Sequence, residues 1–141
     1  MSEDPECIFC KIIAGDVPSE CVFQDDHAVA FLDINPIAPG HTLLVPRKHC
    51  EGLLDAPADV LHAVIERAPR VARAVMKATE AEGFNLIQFN GSCAGQEVFH
   101  LHFHIIPRRP GDGVSFAWKQ GSYGEGEMVA LGGRIREAMG E

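Results

Sequence analysis

Three histidines, His100, His102 and His104, alternate with Leu101, Phe103 and Ile105. On a β-strand, residues i, i+2 and i+4 share a face, so the spacing predicts a strand over 98–106 with imidazoles on one side and apolar side chains on the other. Each two-residue step is about 6.7 Å, which sets the outer two rings about 13 Å apart at the backbone. Two chemistries suit such a row. One is a single metal held by all three rings, which the outer separation strains. The other is a division of labour, in which one ring joins a metal and the others face a phosphate. A neutral imidazole, with an ordinary pKa of about 6.5, is a competent nucleophile at pH 7. The stretch Gly91-Ser92-Cys93-Ala94-Gly95-Gln96 leads into the row, and the backbone N–H groups of such small residues can cradle a phosphate. Far upstream, Cys7 and Cys10 form a C-x-x-C pair, the spacing of two thiolates in a structural zinc site or of a redox couple.

These groups need a scaffold, and the apolar pattern supplies one. Residues 8–14 read as a short helix ended by Gly15, with Pro18 just beyond. Strands are expected over 21–24, 28–33, 42–45, 84–90 and 98–106, the last stopped by Pro107. The segment INPIAPGH is a loop. Leu61, Val64, Ile65, Ala68, Val71, Ala72, Val75 and Met76 recur at helical steps, which predicts one long helix over 57–82. Pro57 suits its start, and Pro69 is expected to kink or split it. A polar tail from residue 108 ends in a helix over 125–139. Short turns favour antiparallel pairing. The expected fold is therefore α+β, with about five antiparallel strands, a long helix on one face and a C-terminal helix.

The chain of 141 residues is read as a single domain, with residues 1–6 as a flexible N-terminus and 108–141 as the tail. Twelve Lys and Arg against twenty Asp and Glu give a formal net charge of −8. That charge disfavours coating a nucleic-acid duplex but leaves room for a local phosphate pocket. No apolar run approaches the roughly eighteen residues of a membrane span. The start MSEDPECIFCKII lacks the basic and apolar regions of a signal peptide, so a cytoplasmic home is the default expectation. The odd count of five cysteines argues against a disulfide scaffold.

The segments GQEVFHLHFHIIPR, CIFCKIIAGDVPSE and DDHAVAFLDINPIAPGHTLLVPRKH together resemble the histidine triad (HIT) superfamily of nucleotide hydrolases and transferases. The likeness runs from about residue 7 to residue 110 and is strongest to small bacterial zinc-containing members, near the purine nucleoside phosphoramidase branch. It implies a subunit whose sheet continues across a homodimer. It also implies that His102 attacks the α-phosphorus of a purine nucleotide adduct (AMP- or GMP-like), forming a nucleotidyl-histidine that water hydrolyses. His104 and the N–H groups around Gly95 and Gln96 would hold the phosphoryl oxygens, and His41 would orient His102 from behind. Phe9, Ile12, Val17, Phe31 and Ile34 match the purine pocket, and Asp33 the carboxylate that takes the ribose hydroxyls. The resemblance adds His49 and His100 to Cys7 and Cys10 as a closed set for structural zinc.

Two positions depart from the pattern. Phe89 stands where relatives often carry an amide that reaches the phosphate, with Asn90 as a candidate substitute. Glu97 stands where phosphoramidase-type members carry a hydroxyl that helps protonate a leaving amine. As an anion Glu97 would favour a cationic leaving group. The leading expectation is hydrolysis of purine nucleoside 5′-phosphoramidates or related adducts. Alternatives are a dinucleoside polyphosphate hydrolase or phosphorylase, and a nucleotide-binding scaffold with residual activity.

Overall fold

The computed structural model describes residues 4–140. Of the six N-terminal residues expected to be flexible, 1–3 lie outside this range. Asp4 is held twice: its carbonyl accepts the Cys7 N–H at 3.0 Å, and its own N–H points at Cys10 Sγ at 3.4 Å. Helix α1 follows at Ile8–Ala14. The Cys7 sulfur caps its start by accepting the Cys10 N–H, and Gly15, at φ 86°, closes its end.

Strands β1 (Cys21–Gln24), β2 (Ala28–Leu32) and β3 (Thr42–Pro46) come next. Helix α2 spans Ala58–Thr79 and β4 spans Gly83–Ile87. A 3-10 turn at Ser92–Ala94 leads to β5 (Phe103–Arg108), and α3 covers Glu127–Met139. The strands form one sheet in the order β1-β2-β3-β5-β4, every neighbouring pair antiparallel. The α+β expectation therefore holds.

The period of two along β2 and β3 divides the interior into two layers. Ala28, Ala30 and Leu44 face α2 and pack with Val64, Ala68, Val71, Ala72 and Val75, together with Leu101, Phe103 and Ile105. Val29, Phe31, Leu43 and Val45 face the other way, against Cys7, Phe9 and Cys10 of the α1 segment. Leu44, Leu101 and Ile105 are fully buried, each contributing roughly 1.5–3 kcal/mol. His104 pairs with Leu43 and so shares the α1 side of the sheet.

Several expected boundaries move. Pro69 does not divide α2, which runs unbroken across it; packing of its apolar stripe on the sheet outweighs one missing backbone bond. Ile65 leaves that stripe and is exposed beside Phe84 and Leu86. Strand β4 ends at Ile87, short of residue 90. The last strand starts at Phe103, not Val98, and runs through Pro107 to Arg108. Strand β3 accompanies β5 only as far as Ile105, so at Pro107 the strand has a partner on one side alone, the setting in which proline is tolerated. Gly40, at φ 96°, turns the chain so closely over α2 that a Cβ would sit 2.5 Å from Thr79 Cγ2. That turn delivers His41 to the sheet.

Candidate active site and metal centre

A cavity of about 320 Å³ opens on the α1 side of the sheet. Its walls are Phe9, Ile12 and Val17 from α1 and the segment after it, Phe31 from β2, Leu43 from β3, and Val98. Asp33, Ile34, Gly95, Glu97, His102 and His104 complete it. The size and the apolar lining with few polar groups suit a small organic ligand. Ten of the expected residues are thus brought together. Ile34 is at the rim, 88% exposed.

Backbone atoms fix the tautomers. The His102 ring donates from Nδ1 to the His100 carbonyl at 2.7 Å, which leaves the Nε2 lone pair free. The Phe9 ring stands edge-on to it, centroids 5.1 Å apart at 90°. The Ile37 N–H donates to His41 Nδ1 at 3.1 Å, and an N–H can only donate. The His41 proton is therefore on Nε2, 2.9 Å from His104 Nδ1, which must accept it. His104 then carries its proton on Nε2. His102 offers a lone pair while its neighbour, 4.9 Å away between centroids, offers a donor. This corrects one expectation: His41 orients His104, not His102.

Burial pushes all three imidazoles below their ordinary pKa, His104 down to about 4 with help from His102 and His41. They are neutral at pH 7. Asp33, His41 and His104 also cluster closely enough to hold a cation. The Ile37 bond argues otherwise, because a metal on His41 Nε2 would require a ring with no proton at all. The cluster is a hydrogen-bonded chain, with Asp33 Oδ2 3.6 Å from His41 Nε2.

Three further expectations are corrected. The N–H groups of Gly95 and Gln96 are already bonded, to the carbonyls of Ser92 and Gly91 at 3.1 and 3.0 Å, and cannot serve a phosphate. Among the described residues no acceptor faces the N–H groups of Glu97 and Val98. The Gln96 amide, buried, spans Gly91 N, Glu51 O and Val98 O and pins the loop instead of lining the cavity. Asn90 also lies off the cavity: its Oδ1 accepts the Leu53 N–H at 2.7 Å and its Nδ2 donates to Gln88. It does not replace the missing amide at Phe89, whose ring packs on His104 at 5.3 Å and lies under Gly95. Gly95, at φ 104°, has a conformation that favours glycine.

Beyond Phe9 lies a second cluster, Cys7, Cys10, His49 and His100, whose ligand atoms all lie within 4.8 Å of one another. Cys7 Sγ and Cys10 Sγ are 3.4 and 3.6 Å from His100 Nδ1, Cys10 Sγ is 3.4 Å from His49 Nδ1, and the two Nδ1 atoms are 3.2 Å apart. A tetrahedral zinc with ordinary bond lengths has N···S edges of about 3.5 Å and N···N edges of about 3.4 Å. The donor set fits. His100 Nε2 donates to the Pro46 carbonyl at 2.8 Å, leaving Nδ1 as the metal-facing lone pair. Burial raises the Cys10 thiol, with the Cys7 sulfur adding to it, so two thiolates here call for a cation. Cys50, next to His49 in the chain, is outside the cluster, and burial pushes its thiol up to about 11. Four protein ligands leave no open position, so zinc here would supply structure rather than an activated water.

What sequence reasoning missed is mainly backbone: the Ile37 N–H and the His100 and Pro46 carbonyls. No residue type announces these.

Known proteins resemble this chain in sequence and in fold. The HIT domain family matches residues 14–111. The adenosine 5′-monophosphoramidase of Saccharomyces cerevisiae is 43% identical over 75% of this chain and 65% of its own length. A crystal structure from Streptococcus mutans superposes at a TM-score of 0.92 with 37% identity, covering 98% of this chain and 88% of that one. A zinc-bound histidine triad family protein from Mycobacterium smegmatis superposes at 0.75 with 33% identity, covering 96% and 98%.

Proposed function

The chain belongs to the HIT domain family, and from that premise we propose that it is a nucleotide hydrolase that cleaves purine nucleoside 5′-phosphoramidates and similar adducts at the α-phosphate. The observation that carries this reading is the His102 bond to the His100 carbonyl, which leaves Nε2 as a neutral nucleophile in the cavity. Nε2 attacks phosphorus, the bond to the leaving nitrogen breaks with its electron pair passing to that nitrogen, which takes a proton from solvent and departs as an amine, and a nucleotidyl-histidine forms. Water then adds at phosphorus and the P–N bond to His102 breaks, releasing the nucleoside monophosphate. His104 Nε2–H donates to a non-bridging oxygen, supported by the N–H groups of Glu97 and Val98, where charge develops in the transition state. Phe9, Ile12, Val17, Phe31 and Ile34 enclose the purine, and Asp33 accepts from the ribose hydroxyls. Glu97, at the exposed lip, favours a leaving group that departs as an amine.

Cys7, Cys10, His49 and His100 would hold zinc, tying α1 to the loop before His102. Five unpaired thiols and a thiolate metal site suit a reducing compartment such as the cytoplasm. Among the described residues no helix is long and apolar enough to cross a membrane. The whole chain acts as one domain, with residues 108–141 as its tail. Its working form is a homodimer. Strand β4 ends the sheet, and Phe84, Leu86 and Ile65 stand exposed around a groove of about 310 Å³ beside it.

The test compares kcat/KM on adenosine 5′-phosphoramidate and on a diadenosine polyphosphate for the wild type and His102→Ala. Phosphoramidate turnover that vanishes in the variant supports the reading. Preference for the dinucleotide overturns the substrate class in favour of a dinucleoside polyphosphate hydrolase. Absence of turnover with AMP still bound leaves a nucleotide-binding protein.

A further inference from the structure

Strand β4 ends with Ile87 opposite His104, and two residues further Phe89 turns its ring onto that imidazole. The contact completes a row of four rings. Phe9 meets His102 at 5.1 Å between centroids, His102 meets His104 at 4.9 Å, and His104 meets Phe89 at 5.3 Å. Each imidazole thus has one hydrogen bond at Nδ1 and one phenyl ring against it. A ring held by one bond at Nδ1 can still swing its Nε2 end about that bond, and packing from the side stops the swing.

The two phenyls differ in what else they touch. Phe9 lines the cavity, and Phe89 does not. Phe89 is half-buried, and its other neighbour is Gly95: three of its ring carbons lie 3.4, 3.5 and 3.6 Å from where a Gly95 Cβ would stand. The backbone at Gly95 leads directly to the N–H groups of Glu97 and Val98. Phe89 therefore touches both sources of phosphoryl donors, the imidazole on β5 and the loop before it. The Gln96 amide bonds Gly91, Glu51 and Val98, so it braces the loop without setting its distance from His104.

We infer that Phe89 is a positioning residue, the spacer that keeps His104 Nε2–H and the Glu97 and Val98 N–H groups converged on one phosphoryl group. Its consequence for rate rests on the hydrolase reading above. A spacer outside the cavity acts on the phosphoryl group without touching the nucleoside.

Full-length Phe89→Ala and Phe89→Leu, compared with wild type, test it. The ring belongs to neither core layer, so Phe89→Ala is expected to fold. It should lower kcat on adenosine 5′-phosphoramidate roughly 10- to 100-fold, the scale of a misplacement near 1 Å, while adenosine, which has no phosphate, keeps its Kd within about twofold. Phe89→Leu refills most of the space and should keep kcat within about fivefold of wild type. In ¹H–¹⁵N spectra, the shifts that AMP but not adenosine induces at the Glu97 and Val98 amides should shrink in Phe89→Ala and return in Phe89→Leu; lost stability alone would not move them. Wild-type kcat in Phe89→Ala, or a loss that Phe89→Leu shares, overturns the proposal. So does a loss of kcat matched by lost adenosine affinity, which would make Phe89 a wall of the cavity. Glu97 and Val98 amides that ignore AMP in the wild type overturn it as well. A wild type that leaves the phosphoramidate intact ends the hydrolase reading alone, since the AMP-dependent shifts still decide whether Phe89 places the donors.

Discussion

His41 is the sharpest place to test the proton chain. It accepts from Ile37 N–H and donates to His104 Nδ1 at 2.9 Å, and it is 2% exposed. His41→Phe keeps a ring in the space and removes both bonds. The His104 nitrogen loses its donor, and the proton that should face the substrate is free to move to Nδ1. A buried neutral hydrogen bond is worth about 1 kcal/mol net, and an orphaned buried polar group costs about 1–3 kcal/mol. The loss bearing on the transition state is then about 2–3 kcal/mol, or roughly 30- to 160-fold in kcat/KM. His41→Gln is the control. Its amide oxygen can accept from Ile37 and its amide N–H can donate to His104, so it should remain within about tenfold of wild type. Continuous hydrolysis of adenosine 5′-phosphoramidate gives the rates, and ¹⁵N shifts of the His104 ring report its tautomer directly. His41→Phe with wild-type turnover, or His41→Gln as inactive as His41→Phe, refutes the relay.

Three further outcomes are expected. Elemental analysis should find one zinc per chain, and Cys10→Ser should remove most of it and cost roughly 3 kcal/mol, near 10 °C in Tm; an unchanged Tm in a zinc-free variant would rule out the structural role. The folded chain binds the His104 proton only below about pH 4, whereas the unfolded chain binds it below about pH 6.5. Stability present above pH 6.5 is therefore lost as pH falls to 4, by roughly 1–3 kcal/mol; urea unfolding of His104→Asn should show a shallower pH slope than wild type, and equal slopes would contradict the assignment. Phe9→Ala should weaken AMP binding about tenfold by calorimetry, through lost aromatic contact, while retaining zinc; unchanged affinity would place the purine elsewhere.

Side-chain chemistry was legible in the sequence, and backbone chemistry was not. The alternation from His100 to Ile105 separates cavity from core correctly, because side chains go on alternating in extended backbone even where the ladder has not begun. That is why placing the strand start at Val98 misjudged the hydrogen bonding of 98–102 without misplacing His102. Small-residue composition and the family resemblance both point to the N–H groups around Gly95 and Gln96 as phosphate ligands. Both N–H groups are consumed inside the 3-10 turn and its exit, a detail set by φ and ψ. Asn90 looked available because it is polar and adjacent, yet a long-range bond to Leu53 claims it. The partner of His41 depends on how the INPIAPGH loop folds back, which no periodicity encodes.

His100 has two allegiances. Its ring sits among the sulfurs and is turned by the Pro46 carbonyl, while its own carbonyl holds the His102 ring. Every residue has a carbonyl, so the part of His100 that holds the His102 ring is the part any substitution preserves. The candidate metal centre and the proposed nucleophile are thus joined by a hinge whose two leaves are separately heritable. A lineage can exchange the ring and give up the ion, so long as another contact keeps that peptide unit in place. Loss of the ring at His100 would then remove a candidate metal ligand while leaving the carbonyl that orients His102.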